Sequence, residues 1–241
     1  AMTIPISILI LTKNEEQDLP GCLQSVAWSD DIHVLDSMST DRTVEIAEEA
    51  GVKVARRVFD GYASKRNAGL HNTAFKYSWV LQLDADERLP DALRAEMQTF
   101  VAAPPANVSA GRLRRRDFFM DRWLKHAQIS PYYVRFARPE KVHYEREVNE
   151  VMKVDGKIHD FHEPFDHYPF SKGISHWIQK HDRYSSLEAE LIAQGRRERR
   201  DVSLLKALFC RDFNERRYAQ KELFYRLPFR PFIKWCYMVF V

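Results

Sequence analysis

Four short apolar runs separated by helical patterns fill the first hundred residues, and three of those runs stop at a cluster of polar side chains. Residues 6–11 are nearly all apolar, as a strand buried on both faces requires. Leu19, Cys22, Leu23 and Val26 then recur at helical spacing. Residues 32–35 read as a second strand, followed by a helix over about 41–50 that Ser39 or Thr40 would cap and Gly51 would stop. Residues 52–55 read as a third strand, about 64–76 as a helix and 79–83 as a fourth buried strand. This alternation predicts βαβ units, hence an α/β fold with a mostly parallel sheet flanked by helices.

In open parallel sheets ligands bind beyond the carboxyl ends of the strands. Those positions here carry Thr12-Lys13-Asn14-Glu15, then Asp36-Ser37-Met38-Ser39-Thr40-Asp41, then Asp84-Ala85-Asp86-Glu87. Three polar clusters would therefore meet along one rim. Neither a dinucleotide glycine fingerprint nor a P-loop is present, so phosphates would be held another way.

Asp84 and Asp86 stand one residue apart at a strand end, and in extended geometry their carboxylates would project to the same side. Such a pair suits a hard cation, Mg²⁺ or Mn²⁺, which completes its shell with water and the phosphates of a nucleotide. The cation would stabilise charge on a departing diphosphate. Asp36 can accept from a base N–H or a ribose hydroxyl, while Ser39, Thr40 and Asp41 fit a turn and helix cap. Lys65, Arg66 and Asn67 offer cations and an amide that either offset pyrophosphate charge or line an exposed helical face.

In this order, Ile-Leu-Thr-Lys-Asn-Glu, Asp-Ser-Met-Ser-Thr-Asp-Arg-Thr, Lys-Arg-Asn-Ala-Gly-Leu and Leu-Asp-Ala-Asp-Glu resemble family 2 glycosyltransferases of the Rossmann-like GT-A fold. The likeness continues through Arg135-Phe136, residues 148–150, His167-Tyr168 and residues 181–185, in the manner of the lipopolysaccharide core glucosyltransferase branch. The resemblance implies that Thr12, Glu15 and Asp36 bind the nucleoside, that Arg66 lies near the phosphates, and that Asp86 is the main metal ligand, supported by Asp84. It implies further that His167 completes the metal site, and that Glu150 is the general base of an inverting displacement. The branch usually has Val-His-Glu where this chain has Val148-Asn149-Glu150, and Glu145 and Glu147 are rival bases. The donor implied is a UDP-sugar, UDP-glucose in that branch, and the acceptor a lipid-linked or cell-surface glycan. A zinc cluster of His159, His162 and His167 lacks cysteine and zinc-site spacing.

With 45% hydrophobic and 12% aromatic residues among 241, the chain can bury a large core. It reads as a catalytic domain over 1–180, made of a nucleotide-sugar half (1–100) and an acceptor half (101–180), followed by a helical basic extension over 181–241. Cys22, Cys210 and Cys236 are too scattered for a disulfide framework, which fits a cytoplasmic protein. Residues 1–11 lack a basic n-region and a cleavage site, so they read as a strand and not a signal peptide. The net charge of +3 is uneven: from Arg196 onward there are twelve Lys/Arg against five Asp/Glu. Seven aromatics from Phe224 to Phe240 accompany them, a mixture suited to an anionic membrane surface and so to a peripheral protein at the inner face of the plasma membrane. The chain stops in the aromatic run 235–241, which suggests that membrane-contacting sequence follows it. Arg112, Arg114, Arg115, Arg116, Arg122 and Lys125, interleaved with Phe118, Phe119 and Trp123, superficially resemble a nucleic-acid surface. No nucleic-acid motif accompanies them, and stacking on a sugar with pairing to acceptor phosphates is the preferred reading. A sugar-phosphate nucleotidyltransferase would need an early glycine-rich loop, absent from residues 4–16. A binding module that kept the fold and lost the base is the non-catalytic alternative.

Overall fold

The parallel core of the sheet is built around β1 (Ser7–Thr12), which pairs with β2 (Ile32–Asp36) on one side and β4 (Val80–Asp84) on the other. β3 (Lys53–Arg56) extends the parallel set from β2. The computed structural model describes residues 4–125, 132–145, 151–193, 203–211 and 213–240. Within them the chain divides into two units, Ala1–Glu190 and Leu191–Val241.

Pleating divides the side chains of β1 between the two faces of the sheet. Ile8 and Ile10 join Leu19, Cys22, Leu23 and Val26, the buried positions of α1 (Leu19–Val26), together with Leu93, Met97 and Phe100 of α4 (Asp91–Ala102). Leu9 and Leu11 face the other way, onto Ala63 and Leu70 of α3 (Tyr62–His71). α2 (Thr43–Glu49) closes the β2-to-β3 crossover, and Gly51, at φ +70°, takes the left-handed turn that ends it.

Beyond β4 the sheet becomes mixed. β8 (Tyr132–Ala137) is antiparallel to both β4 and β6 (Val108–Phe119), and β12 (Phe165–His167) lies parallel to β6 and antiparallel to β5 (Glu87–Arg88). β7 (Arg122–Trp123) and β11 (Lys157–Asp160) also pair with β6. β9 (Val142–Glu145) and β10 (Val151–Val154) form a separate antiparallel pair. β12 thus carries the chain back to the end of β4 after some eighty residues, and α5 (Ile174–Ala193) follows it.

The second unit contains α6 (Leu204–Phe209), α7 (Phe213–Arg226) and α8 (Arg230–Phe240). Ser203 caps α6 by accepting from the Leu205 backbone N–H, and Gln220 of α7 donates to the Ala207 carbonyl. No described helix is long and apolar enough to cross a membrane. The three cysteines are free thiols.

Candidate active site

Register places Thr12 beside Asp36 where β1 and β2 end. The Thr12 hydroxyl donates to Asp36 Oδ1 at 2.8 Å, and Asp36 also accepts from the Ser39 N–H and hydroxyl. The two following loops are latched together. Asn14 N donates to Ser39 Oγ, Thr40 N donates to Asn14 Oδ1, Glu16 N donates to Asp41 Oδ2, and Glu15 N donates to Thr43 Oγ1. Ser39 and Thr40 therefore do not cap α2 as expected: its cap residue is Arg42, which makes no side-chain cap bond, because both side chains are committed to the neighbouring loop. Asn14 and Met38 are held at φ +55° and +58°, conformations that tertiary bonding must maintain.

Burial pushes Glu15 up to about 7 against the opposing pull of Lys172, whose ammonium lies 2.7 Å from its carboxylate. Lys172 also donates to the Asn14 carbonyl. Lys65 donates to the Thr12 carbonyl, and burial pulls its pKa down to about 8. Asn67, the third polar residue of that stretch, brackets Tyr144 of β9, donating to its carbonyl and accepting from its N–H.

At the end of β4 the two aspartates have different surroundings. The extended strand stops at Asp84, and Ala85 and Asp86 form a turn, so the expected extended Asp-x-Asp geometry gives way at its second residue. Asp84 is bound by Arg66 at 3.1 Å and Arg135 at 2.8 Å. Arg135 also reaches Glu87 Oε1 at 2.8 Å, while Glu87 Oε2 accepts from the Asp84 N–H. Burial would raise Asp84, but the two guanidiniums hold it well below the usual carboxylate range; Glu87, more deeply buried, is pushed up. Buried charges persist only when paired in this way. Arg88 secures the same turn by donating to the carbonyls of Ala85, Glu87 and Asp18, in space that Gly21 leaves open: a Cβ at Gly21 would lie 2.6 Å from Arg88 Nε.

His167 arrives from β12, some eighty residues further along the chain. Its pairing with Glu87 on one side and Asp117 on the other places Nε2 3.3 Å from Asp86 Oδ2 and Nδ1 2.7 Å from Asp117 Oδ1. Burial would lower its pKa, yet hydrogen bonds to the two aspartates raise it to about 9; Asp86 is lowered in return, its own burial outweighed by His167. A carboxylate oxygen and an imidazole nitrogen facing each other, with side chains 16% and 12% exposed, form a donor set that fits a divalent cation. Among the described residues no group of three His, Cys, Asp or Glu could enclose a metal, so a cation here would draw its remaining ligands from substrate phosphates and water. His159 packs against Phe100 and Phe161, and His162 pairs with Glu96, so each histidine of the zinc alternative has its own partners.

Glu147 and Glu150 lie outside the described residues. Their described neighbours Glu145 and Val151 are paired directly, and the adjacent Tyr144 has the Arg66 guanidinium 5.6 Å from its ring centroid. In the segment 112–125 four of the six cations are engaged within the fold: Arg112 pairs with Asp160, Arg115 with Asp117, Arg116 with Asp166, and Arg114 donates to the His162 carbonyl, while Arg122 and Lys125 are exposed. Arg135, Glu87, Asp117 and Lys172 were not singled out as site residues from the sequence. Arg135 enters the sequence reading only as part of the family likeness, Asp117 joins the site through strand register, and Lys172 lies 157 positions from Glu15.

A mixed α/β sheet flanked by helices, with its polar rim at the ends of β1, β2 and β4, defines the GT-A class of fold. The model for glycosyl transferase family 2 matches residues 7–163, and the chain belongs to that family. It is 38% identical over 103 residues to an uncharacterized glycosyltransferase of Rickettsia bellii, covering 42% of this chain and 34% of that one. To the lipopolysaccharide core biosynthesis glycosyltransferase LpsC of Rhizobium meliloti it is 30% identical over 122 residues, covering 48% and 44%. The matching segment thus spans a third to under half of these relatives. Among solved structures, S. aureus TarS in complex with UDP-GlcNAc superimposes with a TM-score of 0.52 at 14% identity, covering 68% of this chain and 58% of that one, a likeness of fold.

Proposed function

We propose that the protein is an inverting glycosyltransferase that moves a sugar from a UDP-sugar, with UDP-glucose the first candidate, to a lipid-linked or cell-surface glycan such as lipopolysaccharide core. The observation that carries this reading is the meeting of Asp86 with His167 on the rim that also holds Thr12, Glu15 and Asp36, in a chain of family 2. Thr12, Glu15 and Asp36 would line the nucleoside site, and Asp86 and His167 would hold Mn²⁺ or Mg²⁺. That cation would offset charge on the diphosphate as the glycosidic bond breaks. Arg66 and Arg135 keep Asp84 ionised and fix the turn that presents Asp86. Glu150 would take the proton of the acceptor hydroxyl, and residues 101–180 would supply the acceptor side. Lipopolysaccharide core as acceptor follows the similarity to LpsC.

The test is calorimetric binding of UDP, then GDP, with Mn²⁺, Mg²⁺ or EDTA. Metal-dependent binding of UDP that disappears in Asp86→Ala is expected. If neither nucleotide binds with either metal, the reading is wrong and a non-catalytic role for the fold takes its place. Glu150→Gln should then abolish transfer while leaving UDP affinity intact, and unchanged transfer would remove Glu150 from the mechanism.

A further inference from the structure

We propose that Asp117 is the positioning residue of the metal site, fixing the His167 ring so that Nε2 faces Asp86. This rests on the reading of Asp86 and His167 as metal ligands.

Half a turn about χ2 of His167 would exchange a ring nitrogen for a carbon at the same place, and its 3.3 Å contact with Asp86 is the one a cation would replace. Asp117 removes that freedom. The parallel register of β12 on β6 sets the two residues side by side, and Asp117 Oδ1 accepts from Nδ1 at 2.7 Å. Ligation takes the neutral imidazole, which carries one N–H; held at Nδ1 by Asp117, that N–H leaves the Nε2 lone pair on the Asp86 side, where a cation needs it. Asp117 is itself restrained. Arg115, two residues earlier on the same strand, forms an ion pair with Oδ1 at 2.8 Å and donates to Oδ2 at 3.3 Å, and its guanidinium lies 5.0 Å from the Tyr133 ring centroid. The order of restraint runs from Tyr133 through Arg115 and Asp117 to His167, so a ligand from one half of the domain is aimed at an aspartate from the other.

The test uses the full chain and reads the Mn²⁺ concentration that half-saturates UDP binding, with thermal midpoints in EDTA to show that each variant folds. Asp117→Asn is expected to raise that concentration about 10–100-fold, the usual cost of removing an outer partner of a ligating histidine. In a His167→Ala background the same substitution should change it by less than about twofold, since the ring it orients is gone. Asp117→Glu keeps the charge and displaces it by one methylene, so a loss there too identifies geometry as the cause, and this variant decides the matter if Asp117→Asn does not fold. Wild-type behaviour of Asp117→Asn, equal losses with and without His167, or full retention by Asp117→Glu would each overturn the assignment. A wild-type chain whose UDP binding ignores Mn²⁺ would remove the metal reading itself, and Asp117 with it.

Discussion

Asp31 sits at the amino ends of the strands, away from the rim, and gathers the start of the sheet around one buried carboxylate. Ser7 Oγ and the Lys76 N–H donate to one oxygen at 2.6 and 2.8 Å, and Lys53 and His33 approach the other at 2.8 and 2.9 Å. Burial would raise its pKa, but the bonds from Lys53, Ser7 and Lys76 hold it well below the usual carboxylate range. A depressed carboxylate stabilises the fold above its unfolded pKa, about 4, and loses that contribution as pH falls through the folded value. Asp31→Asn should therefore cost about 1.5–3 kcal/mol at pH 7, the range for hydrogen bonds to a charged group. The gap between variant and wild type should narrow in melts taken below about pH 4. A gap of the same size at pH 3 and pH 7 would show that charge is not its source.

At the level of elements, β6 is the strand with the most neighbours, pairing with β7, β8, β11 and β12, and its fit depends on Gly111. A Cβ there would come within 2.4 Å of Phe161 and 3.4 Å of Phe136, both fully buried in the main core. Gly111→Ala should lower stability by about 1–3 kcal/mol, measured by urea unfolding, because neither ring can move into open space. A neutral result would mean that the sheet shifts to admit the methyl group. Local pattern made α1 legible, since Leu19, Cys22, Leu23 and Val26 are its buried face. The strands run one residue past their expected ends, to Thr12, Asp36 and Asp84, because those polar residues still pair through their backbones with neighbouring strands. α3 stops at His71, short of the expected 76, and the Lys76 N–H is spent on Asp31, a partner 45 positions away. The rim itself could be read as a set of polar strand ends. The meeting of Asp86 with His167 was legible only through the family likeness, and the arginines on Asp84 and the partner of His167 were not legible at all, since Arg135 lies 51 positions from Asp84 and His167 meets Asp117 only through register.

For the whole molecule, binding to an anionic membrane surface would account for both the uneven charge and the exposed apolar residues of the second unit. Leu204, Leu205, Leu208 and Phe209 of α6 are 59–74% exposed, and Phe229, Phe232 and Trp235, at and within α8, are 55–81% exposed, with Phe232 stacked on Trp235 at 6.0 Å. Arg226 precedes the second group and Arg230 lies within it, in a stretch that is seven charges positive from Arg196 onward. Apolar rings set among cations match an anionic bilayer, where each cation near the surface contributes roughly 1 kcal/mol and each buried ring about 1.5–3 kcal/mol. Such binding would hold a transferase beside a lipid-linked acceptor. The full chain should sediment with phosphatidylcholine vesicles that contain phosphatidylserine, far less with phosphatidylcholine alone, and less as salt is raised. Replacing Phe229, Phe232 and Trp235 with serine should abolish sedimentation while leaving metal-dependent UDP binding unchanged, because none of the three belongs to the rim at β1, β2 and β4. If the triple variant sediments like the wild type, or if phosphatidylserine makes no difference, these residues face something other than an anionic membrane.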